Sequence, residues 1–351
     1  MEHHPLVYIR TDGNETIATG HLMRCLSIAR ALAKRGARTA FILSDSVSSS
    51  ILHHMLMPEE ISQSVYSIIQ LQTDYRNPDN EISLMQGILS SHNVSCLLVD
   101  SYFVSQKYLS AMSQICRTAY MDDLQAFDYP VDIAVNYDII VDRDFYKSAG
   151  LVLAGGAYAP LREQFSLHPY HPWDQVQDIL ISTGGTDPFN IAGGLLGRMI
   201  SSDFWKDVSF HVLTGPLHVH KSELQSMARQ EKRIHLHEGI SEMASLMAEC
   251  DLAFSAGGTT LYELCAVGVP SVSYSMADNQ VPGVKAFDQA GLIPWIGDIR
   301  NNPSFYDTAL EKLVSMVLDP AGRREQSLRM RMAVDGAGAD RIASSLIRIP
   351  G

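Results

Sequence analysis

Two short stretches carry residue types whose spacing suits them to chemistry. The first is Ala253-Phe254-Ser255-Ala256-Gly257-Gly258-Thr259-Thr260, an apolar run that passes through paired glycines into a helical pattern. Glycine lets a backbone approach a ligand closely, and the free N–H groups at a helix start hold negative charge, so this is the pattern of a phosphate cradle. Glu263 follows one turn later on the side of Thr259 and Thr260, where a carboxylate can accept two ribose hydroxyls. The competing reading is a plain helix start with threonine as its cap, worth about 1 kcal/mol. The continuation into Gly268-Val269-Pro270 and Asp278-Asn279-Gln280 favours the ligand site. The second stretch is Gly20-His21, where an imidazole sits just inside a helix N-terminus. The positive helix end opposes protonation, so the ring is expected to stay neutral and to act as a general base. The alternative is a buried histidine capping its own helix.

Other residues gather around these two. Arg10, Asp12 and Arg24 are charges close to His21 in sequence, with Gly13 in the same loop. They either contact substrate or fix the loop through ion pairs. Gly184-Gly185-Thr186 offers N–H groups to a phosphate or sugar, or is only a tight turn. Tyr102, after Asp100 and Ser101, either packs on a sugar ring, orients a water, or is an ordinary rim aromatic. No metal is expected. The pairs His53/His54, His218/His220 and His235/His237 lack a third ligand at a helpful spacing. The adjacent carboxylates Asp122 and Asp123 would point to opposite sides of a strand.

The elements that must position these groups alternate strand and helix. Leu6–Arg10, Thr39–Leu43, Cys96–Val99, Thr118–Met121, Ile133–Val135 and Leu151–Leu153 read as strands. Leu22, Cys25, Leu26, Ala29 and Leu32 give a helix over Gly20–Arg35 its apolar face. Ser44–Asn80 resists this kind of reading. Between Ala159 and Gln175 the alternation breaks at a His-Pro-Tyr-His-Pro-Trp stretch, a linker pattern. It restarts with strands at Asp178–Ser182, Val208–Leu213, Arg233–His237, Leu252–Phe254 and Ser271–Tyr274. The expected fold is α/β: two Rossmann-like, doubly wound parallel-sheet domains facing a cleft, over residues 1–165 and 176–330. A helix in 331–351 is expected to pack back on the first domain. Ligands of such sheets bind at the carboxyl ends of the strands, where both glycine loops fall.

Composition narrows the function class. The 351 residues are 46% hydrophobic and 19% charged, enough apolar material for two cores. A net charge of −12 argues against a nucleic-acid or anionic-membrane partner. Five scattered cysteines without a C-x-x-C, and no signal-peptide or membrane-spanning pattern, set the expectation of a cytoplasmic protein, monomeric or weakly self-associating.

The segment Gly257-Gly258-Thr259-Thr260…Glu263…Gly268-Val269-Pro270…Asp278-Asn279-Gln280 resembles the donor-nucleotide motif of GT-B glycosyltransferases, the peptidoglycan N-acetylglucosaminyltransferase above all. The resemblance implies diphosphate at the glycine–threonine helix start, ribose on Glu263 and sugar at Gln280, next to Asn279. Arg10-Thr11-Asp12-Gly13-Asn14…Ala18-Thr19-Gly20-His21-Leu22-Met23-Arg24 looks like the opening motif of the pseudaminic-acid pathway hydrolases that act on UDP-2,4-diacetamido-2,4,6-trideoxy-β-L-altropyranose. Val99–Tyr102, Met121–Leu124, Gly155–Arg162, Ser182–Pro188 and Val334–Gly338 fit the same family in order. Ala18 departs from it, since glycine is usual there. The implied activity is cofactor-free, inverting hydrolysis of a nucleotide sugar at C1, with His21 activating water and Tyr102 beside it. Two rivals stand next to it: transfer of the sugar to a small acceptor, and a non-catalytic nucleotide-sugar binder. A Rossmann dehydrogenase is disfavoured, because no G-x-G-x-x-G follows the first strand.

Overall fold

The computed structural model describes residues 4–56, 65, 67–167 and 174–348. The chain divides into two compact units, Met1–Arg162 with Ala337–Gly351, and Glu163–Gly336. In the first, β1 (Leu6–Thr11), β2 (Arg38–Leu43), β3 (Ser67–Gln70), β4 (Cys96–Asp100), β5 (Thr118–Met121), β6 (Ile133–Asn136) and β7 (Leu151–Ala154) form a parallel sheet. Its order is β3-β2-β1-β4-β5-β6-β7, so the winding direction reverses between β1 and β4. Helices α1 (Gly20–Lys34), α2 (Ser46–Met55), α3 (Ile82–Ser91) and α4 (Gln106–Ser113) connect the strands near that point.

Side chains alternate across each strand, and both faces of this sheet are covered. Val7, Ile9, Phe41 and Leu98 pack against Leu22, Leu26 and Ala29 of α1, and against Ile342, Ala343 and Leu346 of the last helix, Gly338–Ile347. Tyr8, Ile42, Leu97 and Val99 face the other way, against Met85 and Leu89 of α3 and Tyr108 and Met112 of α4. Each fully buried aliphatic side chain contributes about 1.5–3 kcal/mol to holding these layers.

In the second unit β8 (Asp178–Ser182), β9 (Ser209–Leu213), β10 (Ile234–His237), β11 (Leu252–Ala256), β12 (Ser271–Ser275) and β13 (Trp295–Asp298) form a parallel sheet, ordered β10-β9-β8-β11-β12-β13. Here the reversal lies between β8 and β11. Helices α5 (Gln164–Leu167), α6 (Ile191–Ile200), α7 (Lys221–Gln230), α8 (Met243–Glu249), α9 (Thr260–Val267), α10 (Val281–Gln289), α11 (Phe305–Val317) and α12 (Pro320–Ala333) belong to this unit. No described helix is long and apolar enough to cross a membrane.

Several elements differ from the sequence reading. The chain leaves the second unit only after Gly336, so α12 stays with that unit up to Ala333 and the return to the first begins at Ala337. The stretch read as linker contains α5, and its His-Pro-Tyr-His-Pro-Trp residues lie outside the described ones. Within Ser44–Asn80 the structure places α2 and β3; the serine-rich α2 starts because Asp45 accepts a hydrogen bond from the Ser48 N–H. β13 went unread because Gly297 interrupts a four-residue edge strand.

Candidate active site

The geometry begins with strand register. β1 and β4 are neighbours with Thr11 opposite Asp100, so the loop into α1 opens beside the end of β4. His21 is the second residue of α1 and is buried, as is Asp100. Its Nδ1 lies 2.6 Å from Asp100 Oδ1. A carboxylate oxygen that close calls for a proton on Nδ1, with Arg24 Nη2, 3.1 Å from the same nitrogen, donating to the carboxylate instead; in that tautomer the lone pair lies on Nε2. The ring is thus turned to a carboxylate from another strand and does not cap its own helix; the N-cap, Thr19, makes no side-chain cap either.

Arg24, one turn along α1, completes the group. It donates to Asp100 through Nε (2.7 Å) and Nη2 (2.5 Å), to Asp123 through Nη1 (2.9 Å) and Nη2 (2.7 Å), and to the Tyr137 hydroxyl (2.8 Å). Burial opposes the charge on Asp100, but Arg24 and His21 outweigh it and hold the carboxyl well below the usual carboxylate range. Asp100 therefore stays ionised. His21, Asp100 and Asp123 lie close enough to ligate a cation, but Arg24 already engages all four carboxylate oxygens of the two aspartates. Asp122 serves separate partners, the Leu124 and Gln125 N–H groups and the Tyr129 and Tyr146 hydroxyls.

Tyr102 stands edge-on to His21, with ring centroids 4.4 Å apart, and is 43% exposed. Burial of its phenol, with Asp123 nearby, pushes its pKa well up, so Tyr102 is a hydrogen-bond donor at neutral pH and not a base. A cavity of about 10 Å³ adjoins His21, walled by Ile17, Tyr75, Tyr102 and Phe103, with Asp12, Asp100 and Ser101 as its polar lining. That is roughly the space of one water molecule.

Arg10 is corrected by the alternation of β1. It lies on the Tyr8 face, opposite to α1, and is 2% exposed. Its guanidinium donates to Glu81 at 2.6 and 3.0 Å and to Asp12 at 2.5 Å, and Glu81 also accepts from Tyr108 and Thr73. Buried and paired in this way, it anchors the loop. Asp12 accepts from the Ser44 N–H and hydroxyl, so it ties the loop together while lining the cavity. Gly13 is a packing glycine, since a Cβ there would meet Leu22 Cδ1 at 2.4 Å. Gly20 is open, with nothing within 4 Å of such a Cβ. Ala18, the departure from the resemblance, has φ +57°, a left-handed conformation that glycine adopts freely and alanine does not.

In the second unit both glycine turns emerge at the sheet's reversal point, after the adjacent strands β8 and β11. Gly257 is pressed into the turn, where a Cβ would lie 2.6 Å from Val284 and 3.1 Å from Gln280. Thr259 forms no side-chain cap of α9; the Leu261 N–H donates to the Gly258 carbonyl and the Tyr262 and Glu263 N–H groups to that of Thr259. Thr260 opens α9 and Glu263 lies in its first turn, partly exposed. Asn279 is exposed in the Asp278–Gln280 turn after β12, while Gln280 Oε1 accepts from the Met276 N–H. Gly184, Gly185 and Thr186 are exposed, yet the N-terminus of the following α6 is already capped by Asp187, which accepts from the Ile191 and Ala192 N–H groups. That turn can offer only its own N–H groups, not a helix dipole.

Sequence reasoning missed Asp100 as the partner of His21, Arg24 as the clamp between two carboxylates, Asp187 as a cap, and Tyr75 and Phe103 beside the cavity. The signal for Asp100 was present: one acidic residue ending an otherwise apolar strand, Cys-Leu-Leu-Val-Asp.

No protein-family model matches the chain. It is similar to an uncharacterised protein of Methanocaldococcus jannaschii, 23% identical with 76% of this chain and 54% of the relative covered. It is similar to the spore coat polysaccharide biosynthesis protein SpsG of Bacillus subtilis, 25% identical over 57% of each. It also matches the pseudaminic acid cytidylyltransferase and UDP-2,4-diacetamido-2,4,6-trideoxy-beta-L-altropyranose hydrolase of Helicobacter pylori, 22% identical with 72% and 47% covered. The chain thus spans about half the length of the curated relatives it matches. Among solved structures it is similar to MurG of Acinetobacter baumannii, with a TM-score of 0.68, 14% identity, and 98% and 100% of the chains covered. A putative UDP-N-acetylglucosamine 2-epimerase from Listeria monocytogenes gives 0.65 at 12% identity, with 98% and 96% covered. The fold is therefore that of the GT-B enzymes, two Rossmann-like parallel-sheet units.

Proposed function

We propose that this chain hydrolyses a UDP-activated amino or deoxy sugar at its anomeric carbon, releasing UDP and free sugar for the synthesis of a surface polysaccharide or a nonulosonic acid. The observation that carries this reading is the His21–Asp100 pair beside a cavity of about 10 Å³, roughly the space of one water. The name of the Helicobacter relative supports the substrate class, and that of the Bacillus relative the link to a surface polysaccharide.

In this mechanism Asp100 holds the Nδ1 proton of His21, and Nε2 takes a proton from the water as the water oxygen attacks C1. The bond from C1 to the phosphate oxygen breaks, and its electron pair leaves with the diphosphate. Attack opposite the leaving group inverts C1. The diphosphate is a weak base and needs preorganised dipoles more than a proton, which Gly257, Gly258, Thr259 and Thr260 at the start of α9 supply. Glu263 takes the ribose hydroxyls, and Tyr102 donates to the sugar or the water.

The test is release of UDP from a panel of UDP- and CMP-sugars, UDP-2,4-diacetamido-2,4,6-trideoxy-β-L-altropyranose among them, with no acceptor present. His21→Ala should slow turnover by about 10²–10⁴-fold while nucleotide affinity holds. Turnover that starts only when an acceptor alcohol is added would replace hydrolysis with transfer. Heavy oxygen from labelled water appearing in UDP and not in the sugar would rule out attack at C1.

A further inference from the structure

Apart from Ile17, the apolar wall of the His21 cavity is built from two loops that hold each other in place. One follows β3 and presents Tyr75; the other follows β4 and presents Tyr102 and Phe103. Tyr75 and Phe103 meet edge to face, with ring centroids 5.5 Å apart. The first loop is fastened where Leu71 N–H donates to Leu43 and Thr73 N–H to Ser44. Thr73 also ties it across to Glu81, the fully buried carboxylate clamped by Arg10, to which its Oγ1 donates. The two loops are tied directly where Ser105 Oγ donates to Asp79 at 2.5 Å. Moving either loop outward breaks these part-buried hydrogen bonds.

We infer that Tyr75 and Phe103 are specificity-determining residues for the nucleophile, a size filter that admits water to Nε2 of His21 and keeps out alcohols, an inference that rests on the hydrolytic reading above. An alcohol reacts by the same balanced step as water: its oxygen bonds to C1, its proton passes to Nε2, and the C1–phosphate bond breaks with its electron pair on the diphosphate. Chemistry alone therefore does not exclude alcohols. A cavity of about 10 Å³ does, because one methylene beyond water has no place in it. This gives Tyr75, within a segment the sequence left unread, a task distinct from binding sugar substituents.

The experiment measures product partitioning. The full chain is incubated with UDP-2,4-diacetamido-2,4,6-trideoxy-β-L-altropyranose in buffers containing methanol or ethanol, and alkyl glycoside and free sugar are quantified by mass spectrometry. The native chain should give free sugar with little methyl glycoside and less ethyl glycoside. Tyr75→Ala and Phe103→Ala should each raise the ratio of ethyl glycoside to free sugar by at least about tenfold, the low end of what a pocket gains by discriminating one methylene. Tyr75→Phe should keep the native ratio. If both alanine variants hydrolyse the substrate with an unchanged ratio, or the native chain already uses ethanol as readily as methanol, the filter is overturned and hydrolysis stands. If the native chain releases no UDP in buffer alone, the hydrolytic reading falls and the filter with it.

Discussion

Replacing Asp100 by asparagine tests whether the ring of His21 is a base set by its partner. The amide keeps the shape of the carboxylate but turns one acceptor into a donor. Oδ1 accepts from His21 Nδ1 (2.6 Å) and Arg24 Nη2 (2.5 Å), and Oδ2 accepts from Arg24 Nε (2.7 Å) and Cys25 Sγ (3.3 Å). If the NH₂ group takes the Oδ1 position it faces two donors, His21 must surrender the Nδ1 proton, and Nε2 becomes protonated and useless as a base. If it takes the Oδ2 position it faces the Arg24 Nε–H, which donates to Asp100 alone, whereas Nη2 also has Asp123, so the first orientation is favoured. Either orientation breaks part of a buried ion pair, and because Arg24 retains Asp123 the cost should lie at the low end of the usual range, about 3 kcal/mol. The general-base contribution should vanish, a fall in kcat of about 10²–10⁴-fold, or about 2.7–5.5 kcal/mol in the barrier. KM should change little, because neither group holds the nucleotide. The assay is UDP release by Asp100→Asn, His21→Ala and the double variant, each first shown to be folded by circular dichroism. Asp100 acts through His21, so the double variant should be no slower than His21→Ala. Losses that multiply, or an Asp100→Asn enzyme that keeps most of its kcat, would refute the orienting role.

Other outcomes follow from the same geometry. Glu263→Gln should weaken UDP binding by about tenfold or more, as a charged hydrogen bond is worth about 1.5–3 kcal/mol, and weaken dUDP, which keeps only the 3′-hydroxyl, by less; equal losses in calorimetry would remove the 2′-hydroxyl from Glu263. Gly257→Ala forces a methyl against Val284 and Gln280 and should cost about 1–3 kcal/mol of stability together with UDP affinity; unchanged thermal unfolding would contradict the tight turn. Ala18→Gly relieves a left-handed alanine and should stabilise the chain by about 1 kcal/mol, seen as a higher Tm; a lower Tm would mean that the loop does not hold that conformation. Asp298 is held at about 2 by its hydrogen bond from Arg300. A lowered folded pKa stabilises above the unfolded value, so this contribution is present above about pH 4 and lost as the pH falls through about 2. Arg300→Met should flatten that part of an acid titration of stability, and an unchanged profile would remove the pair from the account.

Much of the architecture was legible because its signals are local. The apolar face of α1 at helical spacing, and strands such as Cys96–Asp100 and Asp178–Ser182, require no knowledge of distant residues. The glycine turns were legible for the same reason: Gly257 and Gly258 announce a tight, strained turn wherever the chain goes afterward. Ser46–Met55 and Trp295–Asp298 were not, because a serine-rich helix and a glycine-broken edge strand have weak intrinsic preferences and are held by their neighbours.

The site shows the same division. By itself the sequence determined that an imidazole would sit at a helix start after the first strand, and that a glycine–threonine helix start would follow another. Tertiary structure alone decided that Asp100, 79 positions away, would hold that imidazole. It also decided that Arg10 would turn to the opposite face of β1 and that Tyr75 would wall the cavity. The physical reason is the parallel sheet: register and strand order set which loop ends are neighbours, and alternation along β1 sets which face each charge takes. No window of residues read one at a time contains either piece of information.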